Sequence, residues 1–427
     1  MKIEHLAVTP VALGDPPLLN AAGLHAPYAL RIVIELTTED GRQGLSEIPG
    51  DFEVLAGLEK AASELRGQSV FDQHAIATRL FELLGHDSEV RGERSWDQRR
   101  LVHAASALEV ACLDATARKL DCRVADLLGG VVRERVPYAG YLFFKYEGAG
   151  GPLGFECEPG KSGWAAARQA EALDADGLVA QARAMIDEFG FGSLKVKAGI
   201  LEPEVEVQAT LALREAFGPG VPIRIDPNAA WSYETALRHG QRLLGAIEYL
   251  EDPVRGQSEM ARLRRSLGVP FATNMATTSF ADLPSSVALG AEDIVLADHH
   301  FWGGLRASME LARICATFGR DLSMHSNSHA GISFAAMTQL GAALPHLRYA
   351  LDTHYPWQAD EWIAGGKLRI EGGAVTLPNA PGLGVELDRE RLEAAHQRYL
   401  QSGLTRRDDE VEMRKKQPDW RFRPTRY

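Results

Sequence analysis

FGSLKVKAG (residues 191–199) and VPIRIDPN (221–228) are short apolar strands that finish on charged or amide side chains. The same pattern returns in IEYLEDP (247–253), VPFATNM (269–275), DIVLADHH (293–300), DLSMHSNS (321–328) and RYALDTH (348–354). Most of these runs are separated by stretches of helical period such as EVQATLALREAFG and RASMELARICATFG. A strand, a helix and another strand in repetition build a parallel sheet. Eight strands closed on themselves, with VPYAGYLFF (136–144) as the first, make a TIM-type barrel.

On the N-terminal side of the barrel the pattern is different. HLAVTPVAL and YALRIVIELTTEDGRQGLSEIPG alternate apolar and polar residues around Asp40-Gly41, a hairpin turn pair. From about residue 53 to 130 the period becomes helical, most clearly in RLVHAASALEVACLDATARKL. The expected organisation is an α+β domain over 1–134, a barrel over 135–370 and a C-terminal segment over 371–427 that packs back on the first domain or over the barrel mouth. The Gly-rich stretch 145–164 ends in Gly160-Lys161-Ser162 and imitates a phosphate-binding loop, but the required glycine at 155 is Phe155. It reads instead as a mobile loop after the first barrel strand, placed to act as a lid.

Composition excludes several classes. With 45% apolar and 24% charged residues in a chain of 427, a folded globular protein is expected. The 58 acidic against 46 basic side chains give a net charge of −12, which disfavours nucleic acid and anionic membranes. The Arg-rich tail mixes in acids and aromatics and does not reverse that reading. Cysteines 112, 122, 157 and 315 form no disulfide framework or Cys-x-x-Cys pair, and no window has the length of a membrane span. A cytoplasmic enzyme with a small-molecule substrate is expected.

The chemistry lies at the strand ends. Lys197, Asp226, Glu251, Asn274, Asp298 and His325 are 29, 25, 23, 24 and 27 residues apart, about one βα unit each. Turn chemistry alone predicts no such register, and a barrel places all six at its C-terminal mouth. Asp226, Glu251 and Asn274 are hard oxygen donors suited to Mg²⁺. Lys197 on one side and His325, oriented by Asp298, on the other are candidate bases. Lys195, one turn of the pleat from Lys197, should depress the Lys197 pKa. A cation between two bases suits removal of a proton next to a carboxylate.

These motifs, with LHAPYALRIVIEL, GYLFF, LADHHFW, HSNSHAGIS, PGLGVELD and GLTRRDDEVEM, resemble the mandelate racemase group of the enolase superfamily, and within it the glucarate dehydratases. The resemblance implies a modified (β/α)7β barrel whose mouth is capped jointly by the first domain and the C-terminal segment. It implies Asp226, Glu251 and Asn274 as Mg²⁺ ligands, Lys197 and the His325–Asp298 dyad as bases, and Lys195 and Asn228 in support. His25, Tyr141, Asn327 and Arg407 would contact an acid-sugar diacid, with Arg407 as the local cation. The implied reaction is Mg²⁺-dependent dehydration to a 5-keto-4-deoxy acid sugar, carried out by a homo-oligomer. Three positions depart from the family pattern: Arg100-Leu101 replaces a Thr pair, HSNSHAG replaces HSNNHFD, and the 145–164 loop differs in composition. Epimerisation of an acid sugar, dehydration of another aldarate and a non-catalytic homologue are the alternatives. A zinc hydrolase using His299, His300, His325 and His329 is disfavoured, because the first barrel strand carries Tyr141 and Phe143 where a His-x-His pair would be expected.

Overall fold

The computed structural model describes residues 1–87, 99–151 and 155–427. The expected hairpin is present. Strand β1 (Ile3–Gly14) pairs antiparallel with β4 (Tyr28–Thr38), which pairs with β5 (Gln43–Pro49) across the Asp40-Gly41 turn; the short strands β2 (Leu19–Asn20) and β3 (Gly23–Leu24) form a separate ribbon. Helices α1 (Phe52–Glu64), α2 (Gln73–Leu84), α3 (Arg100–Leu120) and α4 (Val124–Leu127) follow. Ile32, Ile34 and Ile48 of the sheet and Leu58, Ala107 and Leu108 of the helices close over one core. Helix α3 is buried on every side from Ser106 to Ala117, its residues divided between this core and the larger one it shares with the barrel.

The barrel then alternates strand and helix. Its eight parallel strands are β6 (Arg135–Phe143), β7 (Leu194–Lys197), β8 (Ile223–Asp226), β9 (Tyr249–Glu251), β10 (Phe271–Thr273), β11 (Ile294–Ala297), β12 (Asp321–Met324) and β13 (Leu351–Thr353). Adjacent strands pair in register from β13 through β6 to β12, so the sheet is almost closed. The intervening helices are α5 (Gly163–Ala167) with α6 (Ala175–Phe189), then α7 (Pro203–Phe217), α8 (Tyr233–Leu243), α9 (Gln257–Ser266), α10 (Leu283–Leu289), α11 (His299–Trp302) with α12 (Leu305–Thr317), and α13 (Gly331–Ala343). Among the described residues the eighth strand is followed by a single 3-10 turn (Tyr355–Trp357) in place of a covering α-helix, which is the (β/α)7β arrangement. Ile225, Leu250, Val295 and Met324 are fully buried, as expected where helices cover one face of a sheet and the barrel interior the other.

The chain beyond the barrel returns to both units. Strand β14 (Ala374–Thr376) pairs antiparallel with β6. Helix α14 (Arg389–Ser402) packs along β1, His396 Nδ1 lying 2.8 Å from the Pro10 carbonyl. Helix α15 (Asp409–Lys416) lies against β3, where a Cβ on Gly23 would come 2.3 Å from the Asp409 carbonyl oxygen; only glycine tolerates that approach and its φ of +134°. Among the described residues no helix is long and apolar enough to cross a membrane.

The 145–164 loop is anchored at its first residues. In the 145–164 stretch, where 152–154 lie outside the described residues, Lys145 is buried and donates to the carbonyls of Tyr146, Gln169 and Ala170 at 2.6–3.1 Å. Tyr146 N–H bonds the Pro17 carbonyl at 3.1 Å, so this end of the loop is stitched to the first domain, and none of its described residues lines the cleft discussed below. The Lys161 of the false phosphate loop is exposed and pairs with Glu158.

Candidate active site

Each strand-end residue sits where a short strand stops and the backbone turns sharply. Asp226 and Glu251 close β8 and β9, and immediately after them Asn228, Ala229 and Asp252 take φ values of +51°, +58° and +37°. Left-handed conformations at non-glycine residues are costly and cluster at functional sites. Asp252 shows what holds the turn. It is buried, and its side chain accepts from the backbone of Asn274 (2.8 Å) and Met275 (3.1 Å), fixing the next strand end.

One flank of the mouth is a tight group of charges. Lys197 Nζ is 2.7 Å from Asp226 Oδ2. Lys195 Nζ bonds Asp352 at 2.6 Å and lies 2.7 Å from both oxygens of Glu251, with hydrogen-bond geometry only to Oε1. Asn274 Nδ2 donates to that same Oε1 at 2.6 Å, and Asn228 donates to Asp226 Oδ1 at 2.9 Å from both its backbone and its side chain. Burial pushes the Lys197 pKa down, and the neighbouring Lys195 acts in the same direction. Burial also opposes charge on Lys195, but Asp352 and Glu251 more than offset it and raise its pKa well above the usual lysine value. Burial together with Asp226 drives the Glu251 pKa well up, whereas for Asp226 the two lysines outweigh burial and hold it down.

This donor set suits a hard divalent cation. Two carboxylates and an amide come from consecutive strand ends, Glu251 Oε2 is buried without a hydrogen bond, and the repulsion that raises the Glu251 pKa is what a cation would relieve. The chemistry of these residues therefore fits Mg²⁺.

The opposite flank is built on histidines. His325 Nδ1 is 3.1 Å from Asp298 Oδ2, which also accepts from Asn327 Nδ2 at 3.2 Å. Arg31 of β4 donates to Asn327 Oδ1 (2.8 Å) and to Glu47 of β5 (2.9 Å), a fully buried ion pair. Lys197 and His325 line the same cleft, of about 850 Å³ counting its open side, from strands three steps apart around the barrel.

The remaining predicted contacts also line this cleft. His25 Nδ1 is 3.0 Å from Asp15, the Tyr141 hydroxyl is buried without a hydrogen bond, and Arg407 makes a bidentate pair with Asp409 at 2.5–2.6 Å. Asp409 in turn accepts from Asn20 at 2.7 Å, so first domain and tail meet at the cleft. Asn228 does not line it and acts through Asp226. Arg100-Leu101 are absent from the lining; Arg100 lies 3.8 Å from Glu53 and the Leu101 N–H bonds Asp87.

Arg31, Asp352 and His354 escaped the sequence reading. Asp352 lies 27 residues beyond His325, so one further step of the same register would have found it, and His354 two residues on; Arg31 has no local signal. The zinc alternative does not gather its four histidines. Among the described residues the compact group of possible ligands is Asp298, His299 and His300, without His325 or His329, and Asp298 Oδ1 is already taken up by His300 at 2.6 Å.

Comparison with known proteins agrees with this geometry. Residues 177–391 match the family described as enolase C-terminal domain-like. A probable glucarate dehydratase of Streptomyces coelicolor is 44% identical, the alignment covering 98% of this chain and 97% of the relative. The crystal structure of an enolase from Thermobispora bispora complexed with magnesium and formate is 46% identical over the whole of both chains, with a TM-score of 0.93. An enolase from Pseudomonas fluorescens with bound magnesium, potassium and tartrate is 44% identical and covers 100% of this chain and 99% of its own, with a TM-score of 0.92. On the strength of that match and of its strand-end site, the chain belongs to the enolase superfamily.

Proposed function

We propose that this protein is a Mg²⁺-dependent dehydratase of acid sugars, acting on glucarate or a close six-carbon diacid. The observation that supports the reading is that Lys197 and His325 line one cleft, with Asp226 bonded to Lys197 and Asn274 to Glu251 just outside its lining. The similar proteins point the same way: one is named a probable glucarate dehydratase, and another was crystallised with magnesium and tartrate, itself a hydroxy diacid.

Asp226, Glu251 and Asn274 would hold Mg²⁺, which when bound stabilises negative charge on the substrate carboxylate. Lys197, whose pKa burial and Lys195 push below the usual lysine value against the pull of Asp226, is the base. It takes the proton from the carbon next to the carboxylate. Lys195, held charged by Asp352 and Glu251, offsets part of the negative charge of that flank. His325, oriented through Nδ1 by Asp298, presents Nε2 to the neighbouring hydroxyl and gives it a proton, so that the C–O bond breaks and water leaves. The enol that remains becomes a 5-keto-4-deoxy acid sugar. Arg407, His25 and Tyr141 hold the distal part of the diacid.

Purified protein with Mg²⁺ and a panel of aldarates, monitored for α-keto acid, tests the proposal. Keto acid from glucarate or a close diacid is expected. Absence of keto acid from every aldarate, or epimerisation without loss of water, would overturn it.

A further inference from the structure

The carboxylate of Asp298 is shared between two histidines, and its shorter contact is not the one to His325. Oδ2 meets His325 Nδ1 at 3.1 Å, whereas Oδ1 meets His300 Nδ1 at 2.6 Å and the His300 backbone N–H at 3.0 Å. His300 is 2% exposed and does not line the cleft. Its far nitrogen, Nε2, is 3.0 Å from Ser333 Oγ on α13 and 3.1 Å from the Glu47 carbonyl on β5.

These partners select a tautomer. A carboxylate only accepts, so a ring proton belongs on Nδ1; in the neutral ring Nε2 accepts from the Ser333 hydroxyl and packs beside the Glu47 carbonyl without a hydrogen bond to it. Burial and the nearby Arg31 push the His300 pKa well below the ordinary histidine value, in keeping with a neutral ring. Asp298 stands at the start of α11, a single turn of four residues, and without the His300 ring its Oδ1 would keep only a backbone N–H.

We propose that His300 is a positioning residue for the Asp298–His325 pair: it grips Asp298 by Oδ1, turns Oδ2 toward His325 Nδ1, and is itself braced against the first domain and α13. The inference rests on the proposed function for its catalytic consequence, but not for its structural test. A small misplacement of a proton-handling group costs about 10²-fold in rate, so loss of the grip should lower kcat by about that factor while KM, set by groups His300 does not touch, stays within about twofold.

Two near-isosteres separate the grip from mere space-filling. In His300→Asn the amide nitrogen takes the place of Nδ1 and can still donate to Asp298, whereas His300→Gln places its nitrogen at the Nε2 position and loses that bond. Asn should restore most of kcat, and Gln should behave like His300→Leu, with thermal melts reporting the folding of all three. The substrate-independent readout is the Nδ1–H resonance of His325 in protein labelled with ¹⁵N-histidine and assigned through His325→Gln. It should persist in His300→Asn and exchange away with water in the Gln and Leu variants. If the resonance is unchanged in the Gln and Leu variants, or Asn and Gln lose kcat alike, the proposal is wrong. Should the wild type turn over no acid sugar, the proposed function fails while the resonance comparison still decides the role of His300.

Discussion

The two flanks of the cleft are held in different ways. The lysine flank is stitched by bonds between barrel strands one or two steps apart: Lys197 to Asp226, Lys195 to Glu251 and Asp352, Asn274 to Glu251. The histidine flank leans on the first domain, through Arg31 to Asn327, the Glu47 carbonyl to His300, and Glu47 Oε1 to the Ala330 N–H at the start of α13. The lysine flank is therefore held within the barrel, and the added domain does more than cover it. The histidine side needs both units docked.

The comparison is broken most severely at its chemical centre. Lys197→Ala should lower turnover by about 10³-fold or more, within the range for loss of a general base, and Glu251→Gln should do the same by removing a cation donor. Metal removal with a chelator, followed by Mg²⁺ readdition, should abolish and then restore keto acid formation in the wild type but fail to restore it in Glu251→Gln.

The next largest effect separates the flanks. Arg31→Met leaves Glu47 buried and unpaired, at a cost of about 3–5 kcal/mol in denaturant unfolding. At temperatures where it is folded, its kcat should fall while its Mg²⁺ affinity, measured by titration calorimetry, stays near that of the wild type. Equal losses in both would mean that the flanks are not separately supported.

The smallest effect is a pH dependence at another joint between the units. Glu109 of α3 accepts from the backbone of Leu305 (2.9 Å) and Arg306 (3.2 Å) at the start of α12, and burial pushes its pKa up to about 7. A carboxyl raised from an ordinary value of 4.5 binds its proton more readily in the folded state. Its stabilising contribution is complete below about pH 4.5 and is lost as pH rises through about 7. The stability of wild type minus that of Glu109→Gln, from urea titrations, should therefore fall across that window and level off above it. A flat or rising difference would contradict the assignment.

How readable each flank was in the sequence follows from the same contrast. The strand-end residues could be placed because a βα unit repeats at nearly constant length, so Lys197 to His325 fall into step and a further interval of 27 residues reaches Asp352. The role of Asp252 as acceptor for the Asn274 backbone depends on a left-handed φ that no spacing announces. Arg31 meets a partner 296 residues away, and His300 one 253 residues away; both contacts arise from the docking of two units, and local pattern carries no trace of them. The anchoring of the 145–164 loop at Lys145 is equally unannounced, since the carbonyls that hold this lysine include those of residues 24 and 25 positions on.

The central claim is that the protein removes a proton next to a carboxylate with Lys197 on one flank and His325 on the other. Incubation of glucarate with the Mg²⁺-loaded protein in D₂O, followed by proton NMR of the carbon next to the carboxylate, tests it directly. Deuterium incorporation and keto acid formation by the wild type are expected, with both impaired in Lys197→Ala or His325→Ala. Exchange and turnover left unchanged by both substitutions would contradict the two-base account.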